Sequence, residues 1–145
     1  MRVTQLSLFV ENRRGAVRTA IDVIAKAGVD VASLSLADTS EFGILRLVVR
    51  DPARARTALE GAGVVVNEAE VMALEVDDRA GGLAEALAAV DQAGLEIEYL
   101  YAFPTLRPSG RAVLLVRFAD EAQAREALVA TGLTPLSAEE LFERR

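Results

Sequence analysis

Asn12-Arg13-Arg14-Gly15-Ala16-Val17 recurs as Asp78-Arg79-Ala80-Gly81-Gly82-Leu83, and Ala27-Gly28-Val29-Asp30-Val31 recurs, with no gap between, as Ala93-Gly94-Leu95-Glu96-Ile97. Both recurrences have the same offset of 66 residues (81 − 15 and 94 − 28). Further on, Asp51, Ala55, Ala58, Leu59 and Gly63 return as Asp120, Ala124, Ala127, Leu128 and Gly132, at an offset of 69 (120 − 51). The second copy therefore carries three extra residues (69 − 66). They fall between Pro104 and Gly110, where Pro104, Pro108 and Ser109-Gly110 mark a surface turn that absorbs an insertion without disturbing a core. A repeat of this length makes each copy one structural unit, and the boundaries it sets are 1–68 and 69–145.

The periodicity inside a copy changes from two to three-and-four and back. Leu6, Leu8 and Val10 alternate with Gln5, Ser7 and Phe9, the pattern of a half-buried strand. Val17, Ala20, Ile21, Ile24 and Ala27 then recur at helical spacing, which predicts a helix from about Gly15 until Gly28 stops it. Val29 to Leu36 and Gly43 to Val49 read as two strands joined by the turn Asp38-Thr39-Ser40-Glu41. Asp51-Pro52 is an N-cap followed by proline at the first helical position, Ala55, Ala58, Leu59 and Ala62 form that helix's apolar face, and Val64-Val65-Val66 follows as a fourth strand. The order is βαββαβ. The second copy repeats it, with Leu133 onward as its last strand, and Ser137-x-x-Glu140 is a capping box opening a short terminal helix. The predicted fold is α+β, two split-βαβ units in tandem, each an antiparallel sheet with its helices on one face. In the third strand Ile44, Arg46 and Val48 share the phase that the helices do not cover, as does Val113 in the second copy, so that face needs a cover, from the other copy, a second chain or both, and a homodimer or larger assembly is expected. About four residues, Asn67 to Glu70, are left to link the copies, which predicts rigid apposition.

Composition excludes whole classes of function. Apolar residues make up 52% and charged residues 26% of 145, which describes a packed globular chain. The longest apolar runs, Val64-Val65-Val66 and Ala112-Val113-Leu114-Leu115-Val116, are far short of a membrane span, and the first strand starts too near Met1 for a signal peptide. A cytoplasmic protein without a membrane partner is expected. With no histidine and no cysteine, a transition-metal site, a disulfide framework and a Cys/His nucleophile pair are all impossible. No metal or other cofactor is expected. A net charge of −6 opposes phosphate backbones, so nucleic acid is not an expected partner.

A strand, then Asn/Asp-x-x-Gly-x-Val/Leu opening a helix, then Ala-Gly-Val/Leu-x-Val/Ile, resembles the ACT domain, and the resemblance covers both halves. Leu8-Phe9-Val10-Glu11-Asn12, the stretch Ala37 to Arg46, and Glu98-Tyr99-Leu100-Tyr101-Ala102-Phe103 are similar to small stand-alone tandem ACT proteins. The resemblance implies the ferredoxin-like fold and a non-catalytic module that binds a free amino acid or small carboxylate between paired ACT units. The chemistry of the repeated loop is compatible with this. A helix N-terminus offers free amides and a favourable dipole to a carboxylate, and Gly15 and Gly81 permit close approach. Asn12 both donates and accepts, whereas ionised Asp78 only accepts and suits an ammonium group. Where ACT sensors often carry a ligand-touching Asn after the second-strand Gly-Val, Asp30 and Glu96 stand here. The candidate site comprises Asn12, Arg13, Arg14, Gly15, Ala16 and Val17 with Ser33, Ser35 and Asp38, and in the second copy Asp78, Gly81 and Leu83. Ser33 and Ser35 hold the places of Tyr99 and Tyr101, which leaves room for a pocket beside the serines.

Blander readings apply to each of these residues. Asn12 and Asp78 can be simple helix N-caps, the glycines simple turn formers, and the arginines solvated. Tyr99, Tyr101 and Phe103 share the phase of Leu95 and Ile97, a core or interface pattern. Catalysis has little to stand on. Asp77 and Asp78 are adjacent and point apart, Lys26 is the only lysine and sits on a polar helix face, and Arg13-Arg14-Gly15 is a faint version of a phosphate loop. The expected function is a regulatory, ligand-binding module and not an enzyme. The alternative is an interaction subunit with no small ligand.

Overall fold

The computed structural model describes residues 2–38, 41–106 and 108–145. Thr39 and Ser40 of the predicted Asp38–Glu41 turn, Arg107 of the Pro104–Gly110 segment, and Met1 lie outside them. The chain forms two compact units, an N-terminal one of Thr4–Ala69 and a C-terminal one of Glu70–Arg145 with Met1–Val3.

In the N-terminal unit the predicted alternation builds β1 (Val3–Glu11), β2 (Val31–Asp38) and β3 (Phe42–Val49), antiparallel and in the order β2-β3-β1. Register sets Leu6 opposite Leu47 and Leu8 opposite Leu45, so the apolar phases of β1 and β3 share one face. Onto that face pack Ala16, Ala20 and Ile24 of α1 (Ala16–Lys26) and Ala55 and Leu59 of α2 (Pro52–Gly61), closing a core with Val10, Val49 and Val66. Asp51 caps α2 as its sequence predicts, its side chain accepting from the Arg54 amide at 3.1 Å.

The C-terminal unit repeats the plan with the part of β4 (Val66–Asp77) from Glu70 on, β5 (Ile97–Phe103) and β6 (Arg111–Phe118), in the order β4-β6-β5. Met72 lies opposite Val116 and Leu74 opposite Leu114. Val90 of α3 (Gly82–Gln92) and Ala124 and Leu128 of α4 (Glu121–Val129) pack with Met72, Leu74, Val116 and Phe118. Each unit is thus an α+β, ferredoxin-like unit: an antiparallel sheet whose third strand lies between the first and second, with its two repeated helices on one face.

Two features depart from the sequence expectation. Asn67 to Glu70 are not a linker but part of β4, a single strand of 12 residues. The last strand of the second copy is reduced to one bridge, Leu136 to Ala73, its amide donating to the Ala73 carbonyl at 2.8 Å. The cause is visible in the repeat: Val66, which starts β4, corresponds to Pro135 (135 − 66 = 69), and proline has no amide to give a ladder. Two residues later the Ser137–Glu140 capping box opens α5 (Ala138–Glu143). Phe142 meets Phe103 edge-on with ring centres 6.1 Å apart, and Arg144 reaches Glu75 at 3.3 Å. Because Phe103 pairs in register with Val113, these contacts seat α5 on the face that α3 and α4 leave bare. Val113 is 1% exposed, and Val48 in the N-terminal unit is also 1% exposed. Both are buried within a single chain, so neither gives grounds for a second chain.

At the start of α4 both carboxylate oxygens of Glu121 are buried without a hydrogen-bond partner among the described residues. Burial pushes its carboxyl above the usual carboxylate range, against the pull of Arg117 and Arg125. A raised folded-state pKa means that the folded chain holds the proton more tightly than the unfolded one. The resulting stabilisation is complete below the unfolded value of about 4.3 and is lost as pH rises through the folded value. Urea titrations should therefore show wild type losing stability relative to Glu121→Gln between pH 4 and pH 7. A difference that is flat over that range would contradict it.

Candidate functional site

Gly15 and Gly81 are the N-caps of α1 and α3, in left-handed conformations with φ of 86° and 88°. Neither helix has a side-chain cap, so Asn12 and Asp78 are not helix caps. Glycine is needed at these two caps because side chains rarely tolerate that φ. The Asn12 amide donates to the Glu41 carbonyl at 3.3 Å and its side chain to Asp38 Oδ1 at 3.4 Å, which joins the β1–α1 loop to the end of β2. Arg13 Nε donates to Glu11 at 2.7 Å, whereas exposed Arg14 has no partner among the described residues.

Beside this loop runs an open groove of about 420 Å³. One wall is the end of β1 with Phe9, Glu11 and Arg13, the floor is Ala16, Thr19 and Ala20 of α1, and the far wall is Gly63, Val64 and Val65 after α2. The C-terminal unit has the same groove at the matching positions, with a volume of about 220 Å³. Glu75, Asp77, Gly82 and Glu85 there replace Phe9, Glu11, Ala16 and Thr19 (each offset 66), and Gly132 and Leu133 replace Gly63 and Val64 (each offset 69).

The two grooves differ in charge. In the C-terminal one Arg79 donates to both oxygens of Glu85 at 2.9 and 2.7 Å and lies 3.5 Å from Asp77, and Arg111 pairs with Asp77. Glu85 sits in the first turn of α3, where a carboxylate complements the helix dipole. α1 has no acid in its first turn, and Thr19 spends its hydroxyl on the Gly15 carbonyl at 2.9 Å. With the Ala16 and Thr19 amides bonded to the Arg13 and Gly15 carbonyls, the Val17 and Arg18 amides are the donors at this helix end without an acceptor among the described residues. The N-terminal groove thus has a helix terminus without an internal anion, one ion pair, Glu11–Arg13, and an exposed aromatic, Phe9.

The structure gathers Asn12, Arg13, Arg14, Gly15, Ala16, Val17 and Asp38 at one end of the N-terminal unit. Ser33 and Ser35 are elsewhere: they lie opposite Val48 and Arg46, on the face away from α1 and α2, and Ser33 is buried. Asp78, whose amide donates to the Gly110 carbonyl at 2.9 Å, and Gly81 do not line the second groove but adjoin Asp77 and Gly82, which do, while Leu83 is 46% exposed on α3. Sequence reading missed Phe9, Thr19, Gly63 and Val64. Gly63 and Gly132 recur in register but read only as helix stops, because linear spacing does not tell which turn packs against which helix end. Among the described residues no three His, Cys, Asp or Glu are grouped to hold a metal ion, and no helix is long and apolar enough to cross a membrane.

Residues 1–144 match the family described as the ACT domain pair. No curated protein matches the chain. Among solved structures, a Bacteroides thetaiotaomicron protein is 31% identical over 99% of this chain and 97% of its own, with a TM-score of 0.88. The regulatory subunit of aspartate kinase from Thermus thermophilus, in its ligand-free form, is 16% identical over 90% of this chain and 91% of its own, with a TM-score of 0.64. The corresponding Thermus flavus subunit is 17% identical over 91% and 94%, with a TM-score of 0.60. At such identities the two kinase subunits share the fold. The match over nearly the whole length, together with the repeated βαββα plan, means that this chain belongs to the ACT domain pair family.

Proposed function

We propose that the chain is a non-catalytic, cytoplasmic regulatory protein that binds a free amino acid or small carboxylate in the N-terminal groove. The observation that carries this reading is the contrast between the two grooves: Glu85, paired with Arg79, puts the protein's own carboxylate at the α3 terminus, and Thr19 leaves the α1 terminus open. The ligand carboxylate meets the α1 terminus and Arg13, an ammonium group meets Glu11, and an apolar side chain lies on Phe9 and Val64. Membership of the ACT domain pair family supports a regulatory role. Absence of catalysis is supported by the pairing of Asp77 with two arginines and by the exposure of Lys26.

A thermal-shift screen of amino acids and small carboxylates tests the reading, since a ligand specific to the folded state adds about 2.7 kcal/mol at a hundredfold excess over Kd. Calorimetry then compares variants. Thr19→Glu installs the residue that the second copy already tolerates and should weaken binding at least tenfold, while Glu85→Thr should leave it unchanged. If Thr19→Glu binds as tightly as wild type, the groove is not the site.

The chain is further proposed to work as a homodimer. β2 is an outer strand of its unit, and Leu34 and Leu36 on it are 54% and 53% exposed. Phe9 and Phe42, on the opposite phase of the sheet, are exposed as well, and such exposed apolar side chains favour a second reading, an interaction subunit without a ligand. A screen without any hit, together with a monomer by sedimentation at micromolar concentration, selects that second reading.

A further inference from the structure

Arg56 on α2 and Arg125 on α4 hold the same place in the repeat (125 − 56 = 69), but their surroundings differ. Arg56 is gripped by two carboxylates, Glu60 at 2.6 Å and Glu68 at 3.0 Å. The residues at those places in the second copy are Val129 and Ser137 (129 − 60 and 137 − 68, both 69). Arg125 has lost both partners. Its nearest carboxylate oxygen belongs to Glu121, 3.6 Å away, and its guanidinium donates no hydrogen bond among the described residues.

A pocket of about 360 Å³ opens beside it, bordered by Arg2, Arg125 and Ser137 over Val71, Met72 and Leu136. Its origin is the broken last strand: Pro135 ends the ladder, and Leu136 makes only its single bridge. Val71 and Met72 are each 1% exposed, so the base of the pocket is apolar and firmly packed. Ser137 Oγ accepts from the Glu140 amide at 3.1 Å, and its own hydroxyl proton remains available to a ligand oxygen. Arg2, Arg117 and Arg125 outnumber Glu70 and Glu121 around the pocket, a local positive balance in a chain of net charge −6.

We propose that this pocket is a second ligand site, distinct from the α1 groove, which takes a small monocarboxylate with an apolar body. The carboxylate fills the place that Glu68 holds in the first copy and pairs with Arg125 and the Ser137 hydroxyl, while the hydrocarbon lies on Val71, Met72 and Leu136. The shape of a guanidinium suits a two-pronged carboxylate, and an uncharged amide lacks the second acceptor and the charge.

Hexanoate titrated into the full chain, followed by calorimetry and by the Arg125 side-chain NMR signal, tests the site, with hexanamide as the uncharged control. Arg125→Gln should weaken hexanoate binding at least tenfold. Val129→Glu should do the same by restoring the partner that Glu60 gives Arg56, and since Val129 is 72% exposed this change leaves the core untouched. Thr19→Glu should have no effect on hexanoate, which separates this site from the α1 groove. The proposal is overturned if hexanoate does not bind at millimolar concentration, if hexanamide binds equally well, or if both Arg125→Gln and Val129→Glu bind as wild type does. Loss in Thr19→Glu alone would assign hexanoate to the α1 groove and overturn this site only.

Discussion

Gly82→Ala is expected to destabilise the protein by about 3 kcal/mol or more, lowering Tm by roughly 10 °C. The cost is steric. A Cβ on Gly82 would drive into the Asp77 carbonyl oxygen and come within 2.9 Å of the Asp77 carbonyl carbon. The obstacle is backbone at the end of β4, anchored by the Asp77–Arg111 pair, so no side chain can swing aside. The matching position in the first copy is Ala16, buried and well tolerated, so the reverse change, Ala16→Gly, should cost only about 1 kcal/mol. Urea denaturation of the two variants checks the contrast. Equal, small losses in both would mean that the β4–α3 connection relaxes freely.

Leu141→Ala should cost about 2–5 kcal/mol, although α5 has only six residues. Leu141 is fully buried, and α5 is held by the Phe103–Phe142 contact and by Arg144 on Glu75. Weakening the helix uncovers the face that carries Val113 and Leu115, so the variant should also bind a hydrophobic dye and self-associate. Val129→Ala, at a residue 72% exposed, should lie within about 0.5 kcal/mol of wild type. A Leu141→Ala variant as stable as Val129→Ala, and free of dye binding, would show that α5 is not needed as a cover.

Binding assays should avoid substitutions at Gly15. Its φ of 86° strains any side chain there, so lost binding in such a variant could come from backbone strain alone. Thr19→Glu carries no such ambiguity, because Glu85 occupies the equivalent position in the second copy.

The repeat, the strand and helix order, the caps at Asp51, Asp120 and Ser137, and the turn glycines were all legible in the sequence, because each rests on contacts within a few residues. The βαββαβ plan follows from them. Three things were decided only in three dimensions. Ser33 and Ser35 are near in sequence to Asp38, but strand alternation and a bulge between Val31 and Ser33 turn them to the face away from the groove. The second wall of that groove, Gly63 and Val64, lies more than forty residues from Gly15 and meets α1 only because both helices pack on one sheet face. The cover on Val113 is α5, which takes over where Pro135 denies the last strand its ladder. Local propensity fixes what each segment becomes, whereas packing across distant segments fixes which side chains share a cavity.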